Sequence, residues 1–502
     1  MQMVNHPRTT IDRRRFLAGF AAAAAAAEIG VSALPSSARA QAAEPGETAW
    51  RELAVRLSGP LLRPGDKGFT GLSQPNNLRY SSIIPAGIAR CRTAEDVRRA
   101  ILWARETGTP LVVRSGGHSY AGFSTTSGLM IDLSLMRETQ VDPSSGIAHI
   151  GGGARNAHLY HALRRAGASI THGRCLGVGA AGFLLGGGIG FNMRAHGLGC
   201  DQLIETEIVT ADGNVLTVNN ENNPDLFWAC RGIGGGNLGI HTAFKVQGFA
   251  VHDMCAFQIV WTTQPDHIAA ALLEALAVAP ERLGSKVTLE AANSGLRSAS
   301  GNVAVRLLGQ LHGSSDELTD ILAPVYRVAP PTSEKIEMMT YWAAQDVLSE
   351  EGKPAYYQER SRFLTHHEAS ALLPPLFEEL RRFPGTSRGG EVKFFQTGGQ
   401  INAIAGDATA FVHRNSDWLF SVELNWDAVD TDDALERAIE WQSKLYEMVA
   451  SRTSGGAYQN FADPSLSNPQ EAYYGSNLKR LQTIKAKYDP DFVFRFAQAV
   501  AP

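Results

Sequence analysis

Eight of the eighteen residues in GRCLGVGAAGFLLGGGIG, Gly173 to Gly190, are glycine. Such a run lets the backbone reach positive φ and lie close against something bulky. Its closely spaced N–H groups also suit an anionic group such as a phosphate. A chain containing this loop is shaped to hold a ligand against its own main chain. Cys175, at the loop's entrance, has three roles open to it: inert packing, nucleophile or attachment point.

At 502 residues the chain is long enough for two or three domains. Its 46 basic and 50 acidic residues nearly balance, so no nucleic-acid or membrane-surface field is implied. The 50 glycines cluster in loops rather than repeats, a soluble enzyme-like composition.

The first forty residues read separately. DRRRFLAGF, Asp12 to Phe20, places Arg13 and Arg14 before Phe16 and Leu17; an alanine-rich stretch follows, and SARA ends at Ala40. That order gives a charged region, an apolar region and a small-residue cleavage site, and it resembles the twin-arginine export signal. The apolar run is too short and broken to span a bilayer. The expected mature protein begins near Gln41, is periplasmic or secreted, and has no membrane anchor. Cys91, Cys175, Cys200, Cys230 and Cys255 match no zinc spacing, so no metal is expected. Their odd number suits one cysteine engaged otherwise than in a disulfide.

From Arg90 the pattern is legible. Thr93 caps a helix whose Val97, Ala100, Ile101 and Ala104 recur at helical spacing, and Gly108 ends it. LVVR then runs into the loop SGGHSY. Further strands alternate with glycine turns up to FWACRGIGGGNLGIHTAFKVQ. Beyond about residue 250 the order is strand, helix, strand, strand, helix, which predicts an antiparallel sheet backed by helices. The polar-aromatic tail predicts a segment docking on another domain. The divisions are a signal peptide at 1–40, a lead-in at 41–74, a glycine-looped domain at 75–250, a second domain at 251–450 and the docking segment at 451–502. The fold class is α+β.

RSGGHSY, GRCLGVGAAGFLLGGGIG, RGIGGGNLGIHTAF and YYGSNLKRLQTIKAKYDPDFVFRF occur in the order found in berberine-bridge-enzyme-like flavin oxidases, which the chain resembles. These belong to the vanillyl-alcohol-oxidase superfamily, with a PCMH-type FAD-binding domain preceding a substrate domain. The resemblance implies FAD joined covalently through His118 and Cys175, making Cys175 an attachment point. It also implies that Ser115, Gly116, Gly117 and Ser119 serve the pyrophosphate and that Arg114 belongs to the cofactor site. Val178, Gly179 and Gly182 would lie along the flavin, Gly236, Asn237, Gly239 and Ile240 on the adenine side, and Tyr458 and Asn460 near the ring. No Rossmann unit is present. The partners implied are a small-molecule substrate, namely an alcohol, sugar or secondary metabolite, and molecular oxygen. Val178, three residues past the cysteine, matches the small residue that leaves room for oxygen in relatives. A dehydrogenase with another acceptor and a catalytically silent flavin-binding protein are the alternatives.

A flavin oxidase commonly needs a base to take the O–H or N–H proton as hydride leaves carbon. Relatives use the second tyrosine of Y-x-N-Y, but here the segment reads Tyr458, Gln459, Asn460, Phe461. A second polar position is also filled by phenylalanine, Phe395. The candidate catalytic residues are Glu423 and Tyr120. Glu423 lies in a region where relatives can carry an acid, although direct counting does not align it. Glu391 shares a strand face with Lys393 and Phe395 and is a further option.

Overall fold

The computed structural model describes residues 45–291 and 303–502. The expected export signal and cleavage site lie outside the described residues.

The helix Ala94–Thr107 starts where Thr93 Oγ1 accepts the Asp96 N–H at 3.2 Å and stops at Gly108, whose φ is +67°. Val97, Ala100, Ile101 and Ala104 form its buried face. They share a core with Ala89, Leu111, Leu129 and Ile131 of the strands beneath. Those strands, Gly87–Arg90, Leu129–Asp132 and Leu111–Arg114, run parallel, and the helix is the crossover that parallel pairing demands. The loop 115–120 therefore leaves the carboxyl end of a parallel strand, where open α/β sheets place ligands. Beside it, five antiparallel strands form a second sheet in the order Thr139–Val141, Ile147–Gly151, Ile240–Gln247, Leu203–Val209, Val215–Val218. Gly213, at φ +83°, makes the Asp-Gly turn between the last two.

The later half holds a seven-stranded antiparallel sheet, ordered Ser333–Met339, Met254–Trp261, Val303–Leu311, Leu283–Ala291, Gly389–Gln396, Trp418–Trp426, Tyr356–Leu364. Val287, Leu289, Val392, Phe394, Phe420 and Val422 point to one face. There they pack with Leu272, Leu322, Leu376 and Leu445, from the helices Pro265–Ala277, Ser315–Tyr326, His366–Leu380 and Asp432–Ala450. Strand alternation turns Lys286, Glu391, Lys393, Phe395, Ser421 and Glu423 to the other face. That face is polar because it looks into a cavity. The architecture is α+β, an antiparallel sheet backed by helices beside a glycine-looped α/β half.

In the later half four elements add to those the sequence suggested: Ser333–Met339, Tyr341–Leu348, Tyr356–Leu364 and His366–Leu380. YYQERSRFL lacks apolar alternation because Gln358, Glu359, Arg360 and Ser361 are all buried. Arg360 is satisfied there by Asp463 at 2.7 Å. In His366–Leu380, Pro374 and Pro375 stand inside the helix, where proline ordinarily signals a break.

The tail does reach the glycine-looped half. Tyr474 OH donates to Ile233 O at 2.7 Å, and the Val500 N–H donates to Asn237 Oδ1 at 3.0 Å. A second connection crosses from the seven-stranded sheet. In segment 350–355, Glu350 O accepts from the Leu176 N–H at 2.9 Å, and Ala355 O accepts from the Leu78 N–H at 2.8 Å.

Candidate active site

A cavity of about 600 Å³ separates the glycine loops from the polar sheet face. Of the residues singled out in the sequence, only Arg114 and Ile240 do not line it. The Arg114 guanidinium donates to Ser124 O at 2.9 Å, Leu72 O at 2.6 Å and Ser73 O at 3.0 Å, so it ties loops together behind the wall. Ile240 lies in the core with Leu111 and Leu129, where an apolar strand residue gains most from burial.

The wall is made by two loops laid backbone against backbone. A Cβ on Gly116 would stand 2.1 Å from Gly179 N, so neither loop accepts a larger residue there. A Cβ on Gly177 would stand 2.7 Å from His118 Nε2, and glycine thus lets the imidazole rest on the cysteine loop. From the other side comes Gly352. A methyl group on it would lie 3.2 Å from His118 Cε1 and 3.7 Å from Cys175 Sγ. The imidazole and the thiol therefore converge on one spot at the cavity wall.

Burial, with Arg155 adding to it, pulls the His118 pKa down to about 4, so its ring is neutral at ordinary pH. Burial and then Glu350 push the Cys175 thiol up to about 11, against Arg174, Lys393 and Lys286. Cys175 Sγ lies 3.8 Å from Glu350 Oε2, and Glu350 itself is paired with Arg174.

The cradle also fits the rest of a dinucleotide. Ser115 Oγ and Ser124 Oγ are buried without a partner among the described residues, and both line the cavity. Buried hydroxyls are ordinarily hydrogen-bonded, so two orphans on one wall point to a polar ligand there. Gly234 and Gly236, at φ +87° and +77°, bring the main chain to the same cavity from a second turn.

Opposite stands a row of four carboxylates. Glu290, Glu391, Glu423 and Glu359 are successive cross-strand partners. Like charges directly opposite one another destabilise a sheet, and cations interleave here. Arg306 holds Glu290 at 2.8 Å. Lys393 Nζ lies 3.2 Å from Glu391 and 3.5 Å from Glu359 and also pairs with Glu423. Burial pulls the Lys393 pKa down, but Glu359 and Glu391 outweigh it and hold the ammonium protonated. Tyr120 is pushed well up by burial and then by Glu359. Its ring lies 5.0 Å from that of Phe461.

Glu359, Lys286, Arg174, Glu350 and Gly352 belong to this site and were not singled out in the sequence. Glu359 lies on the strand without alternation. Lys286 alternates with Val287 and Leu289, which reads as a solvent face and is instead a cavity face. Among the described residues all five cysteines are free, no metal-binding cluster occurs, and no helix is long and apolar enough to cross a membrane.

The FAD binding domain family matches residues 85–219, and the berberine and berberine like family matches residues 457–501. The FAD-linked oxidoreductase YvdP of Bacillus subtilis is 31% identical over 89% of this chain and 99% of its own length. The xylooligosaccharide oxidase of Thermothelomyces thermophilus is 30% identical over 83% of this chain and 87% of its own. In fold, the glucooligosaccharide oxidase of Acremonium strictum, which carries 6-S-cysteinyl, 8α-N1-histidyl FAD, superposes with a TM-score of 0.80. That alignment has 26% identity and covers 90% of this chain and 99% of the other. An FAD-binding half, a cavity wall where a histidine and a cysteine converge, and this kinship agree: the chain belongs to the berberine-bridge-enzyme-like family of FAD-linked oxidoreductases.

Proposed function

We propose that this protein is an oxidase whose FAD is bound twice, through His118 and Cys175. It removes a hydride and a proton from an alcohol, sugar or secondary metabolite and passes both electrons to molecular oxygen, giving hydrogen peroxide. The convergence of His118 and Cys175 beside Gly352 carries this reading. The doubly attached flavin of the Acremonium oxidase supports it.

Bound FAD supplies the two-electron acceptor. The neutral His118 ring keeps a nitrogen lone pair for a bond to carbon. Arg174, Lys393 and Lys286 oppose the burial that keeps Cys175 protonated, easing loss of its proton when a bond forms. Val178 lines the cavity, its N–H 3.2 Å from Cys175 O, and leaves room for oxygen beside the ring. The substrate proton goes to the carboxylate row, with Glu423 as base. Tyr120, pushed up by burial, is a poor acceptor at neutral pH. Export by the twin-arginine route, which carries folded proteins, suits a chain loaded with cofactor before it leaves the cytoplasm.

Phe395 and Phe461 favour a second reading, a flavin-loaded protein without turnover. Anaerobic mixing with a panel of sugars, alcohols and alkaloids separates the two. Bleaching of the flavin band followed by peroxide on admitting oxygen supports the oxidase. Bleaching without peroxide indicates a different acceptor, and no bleaching by any compound indicates the silent protein.

A further inference from the structure

The charged side chains lining the cavity are nearly all accounted for by each other. Arg174 takes Glu350, and Lys393 takes Glu359, Glu391 and Glu423. Lys286 is different. It is 9% exposed, it lines the cavity, and among the described residues it has no hydrogen-bond or ion-pair partner. A nearly buried ammonium with no directly bonded partner is costly and is not ordinarily kept in a core.

The surroundings of Lys286 define what would complete it. Phe395 is its direct cross-strand partner, and its Nζ lies 5.9 Å from that ring's centroid. The Phe395 ring continues to Phe461 at 6.0 Å, and Phe461 to Tyr120 at 5.0 Å. These three rings form one aromatic wall of the cavity, with the ammonium at its end. Glu391 and Glu350 attract the ammonium from a distance, but among the described residues neither makes an ion pair or hydrogen bond with it, and Lys393 stands between Glu391 and Phe395 along the strand.

We infer that Lys286 recognises an anionic group of the substrate, and that the substrate is an aromatic acid whose ring lies along Phe395 and Phe461 while its carboxylate pairs with Lys286. A neutral sugar would leave the ammonium without an ion-pair partner. A carboxylate gives it a charge-assisted hydrogen bond in a water-poor site, where such bonds are strongest. Burial, reinforced by Arg174 and Lys393, brings the Lys286 pKa down to about 8, while Glu391 and Glu350 work the other way. The unliganded ammonium thus begins to discharge not far above neutral pH, and a bound carboxylate would hold the proton on it. The inference rests on FAD occupying the Cys175 side of this cavity.

Benzoate and benzamide, equal in shape and different in charge, are suitable probes, read by their perturbation of the visible flavin band of the holoenzyme. Benzoate should bind at least about tenfold more tightly than benzamide, the range expected when a hydrogen bond involves a charged group. Lys286→Met should abolish the preference by weakening benzoate far more than benzamide, and Lys286→Arg should keep most of it. In the unaltered protein, benzoate affinity should fall as pH rises past 8 and benzamide affinity should not. Equal binding of the two probes by the unaltered protein, a preference surviving in Lys286→Met, or a pH-independent benzoate affinity would each overturn the inference. If Lys286→Met fails to fold, the first and last measurements still decide. Flavin retention after acid precipitation is read separately, so loss of the covalent attachment and loss of the benzoate preference are distinguishable outcomes.

Discussion

The rings of Phe395 and Phe461 stand 6.0 Å apart, and neither can accept a proton. They occupy two positions where the family resemblance leads one to expect polar groups. Their pairing turns that part of the cavity apolar, and in the proposed reaction proton removal then falls to the carboxylates of the neighbouring strands. The same pairing creates the aromatic wall beside Lys286. One substitution pattern therefore bears on both the base and the substrate.

Attachment is the most direct test of the flavin reading. Because His118 and Cys175 converge beside Gly352, His118→Ala or Cys175→Ala alone should leave one bond intact. Acid-precipitated protein from either variant should remain yellow, and only the double variant should release all its flavin. Full release from the unaltered protein would end the idea of covalent attachment.

Oxygen reactivity should respond to Val178. The residue lines the cavity within the cysteine loop, so Val178→Ile narrows the space beside the ring by one methylene. Stability should change little if the loop adjusts. Stopped-flow reoxidation by oxygen should slow several-fold, with reduction by substrate much less affected. Equal reoxidation rates would remove Val178 from the oxygen path.

The glycine-looped half was legible in sequence because its signals are local. Thr93 and Gly108 bound one helix, and each glycine turn sits between apolar runs, so the structure follows them closely. The motifs led to His118 and Cys175, and both line the cavity. The polar sheet face was only partly legible, for a physical reason. A lysine alternating with valine and leucine looks the same whether it faces solvent or a cavity, and only the opposite wall decides. Lys286 is such a case, and Glu359, on a strand with buried polar residues on both faces, gave no pattern at all. Arg114 shows the converse: its place in the motif suggested a cofactor contact, yet its Nε and Nη1 donate to backbone carbonyls behind the wall.

Lys393 should be the electrostatic keystone of the sheet. Removing it in Lys393→Met leaves Glu391, Glu423 and Glu359 adjacent without their cation, a change expected to cost about 3–5 kcal/mol. The pH dependence has a definite sign. Burial raises the Glu391 pKa, but Lys393 and Lys286 together bring it below the ordinary value. Its contribution to stability is present above the unfolded-state pKa of about 4.3 and is lost as pH falls through the lower folded value. In Lys393→Met the unpaired carboxylates are instead relieved by protonation. The gap in thermal midpoint between the two proteins should therefore be largest near neutral pH and shrink toward pH 4. A gap independent of pH would mean that the loss came from packing alone.

The base itself is tested at Glu423. It sits in the carboxylate row between Glu391 and Glu359 and lines the cavity, and it is paired with Lys393. Glu423→Gln keeps the shape and hydrogen-bonding capacity while removing the charge and most of the basicity. Flavin reduction by substrate should fall by about 10²–10⁴-fold, the usual contribution of a general base. The acidic limb of the rate profile should disappear, because protonation of this carboxylate is what switches the reaction off at low pH. Flavin content should be unchanged, since Glu423 stands on the sheet face across from His118 and Cys175. A Glu423→Gln protein with the original reduction rate and pH profile would eliminate Glu423. The proton would then go to Glu391, to Tyr120 with Glu359 beside it, or to solvent from a substrate acidic enough to ionise unaided. Glu391→Gln and Tyr120→Phe distinguish these by the same measurement.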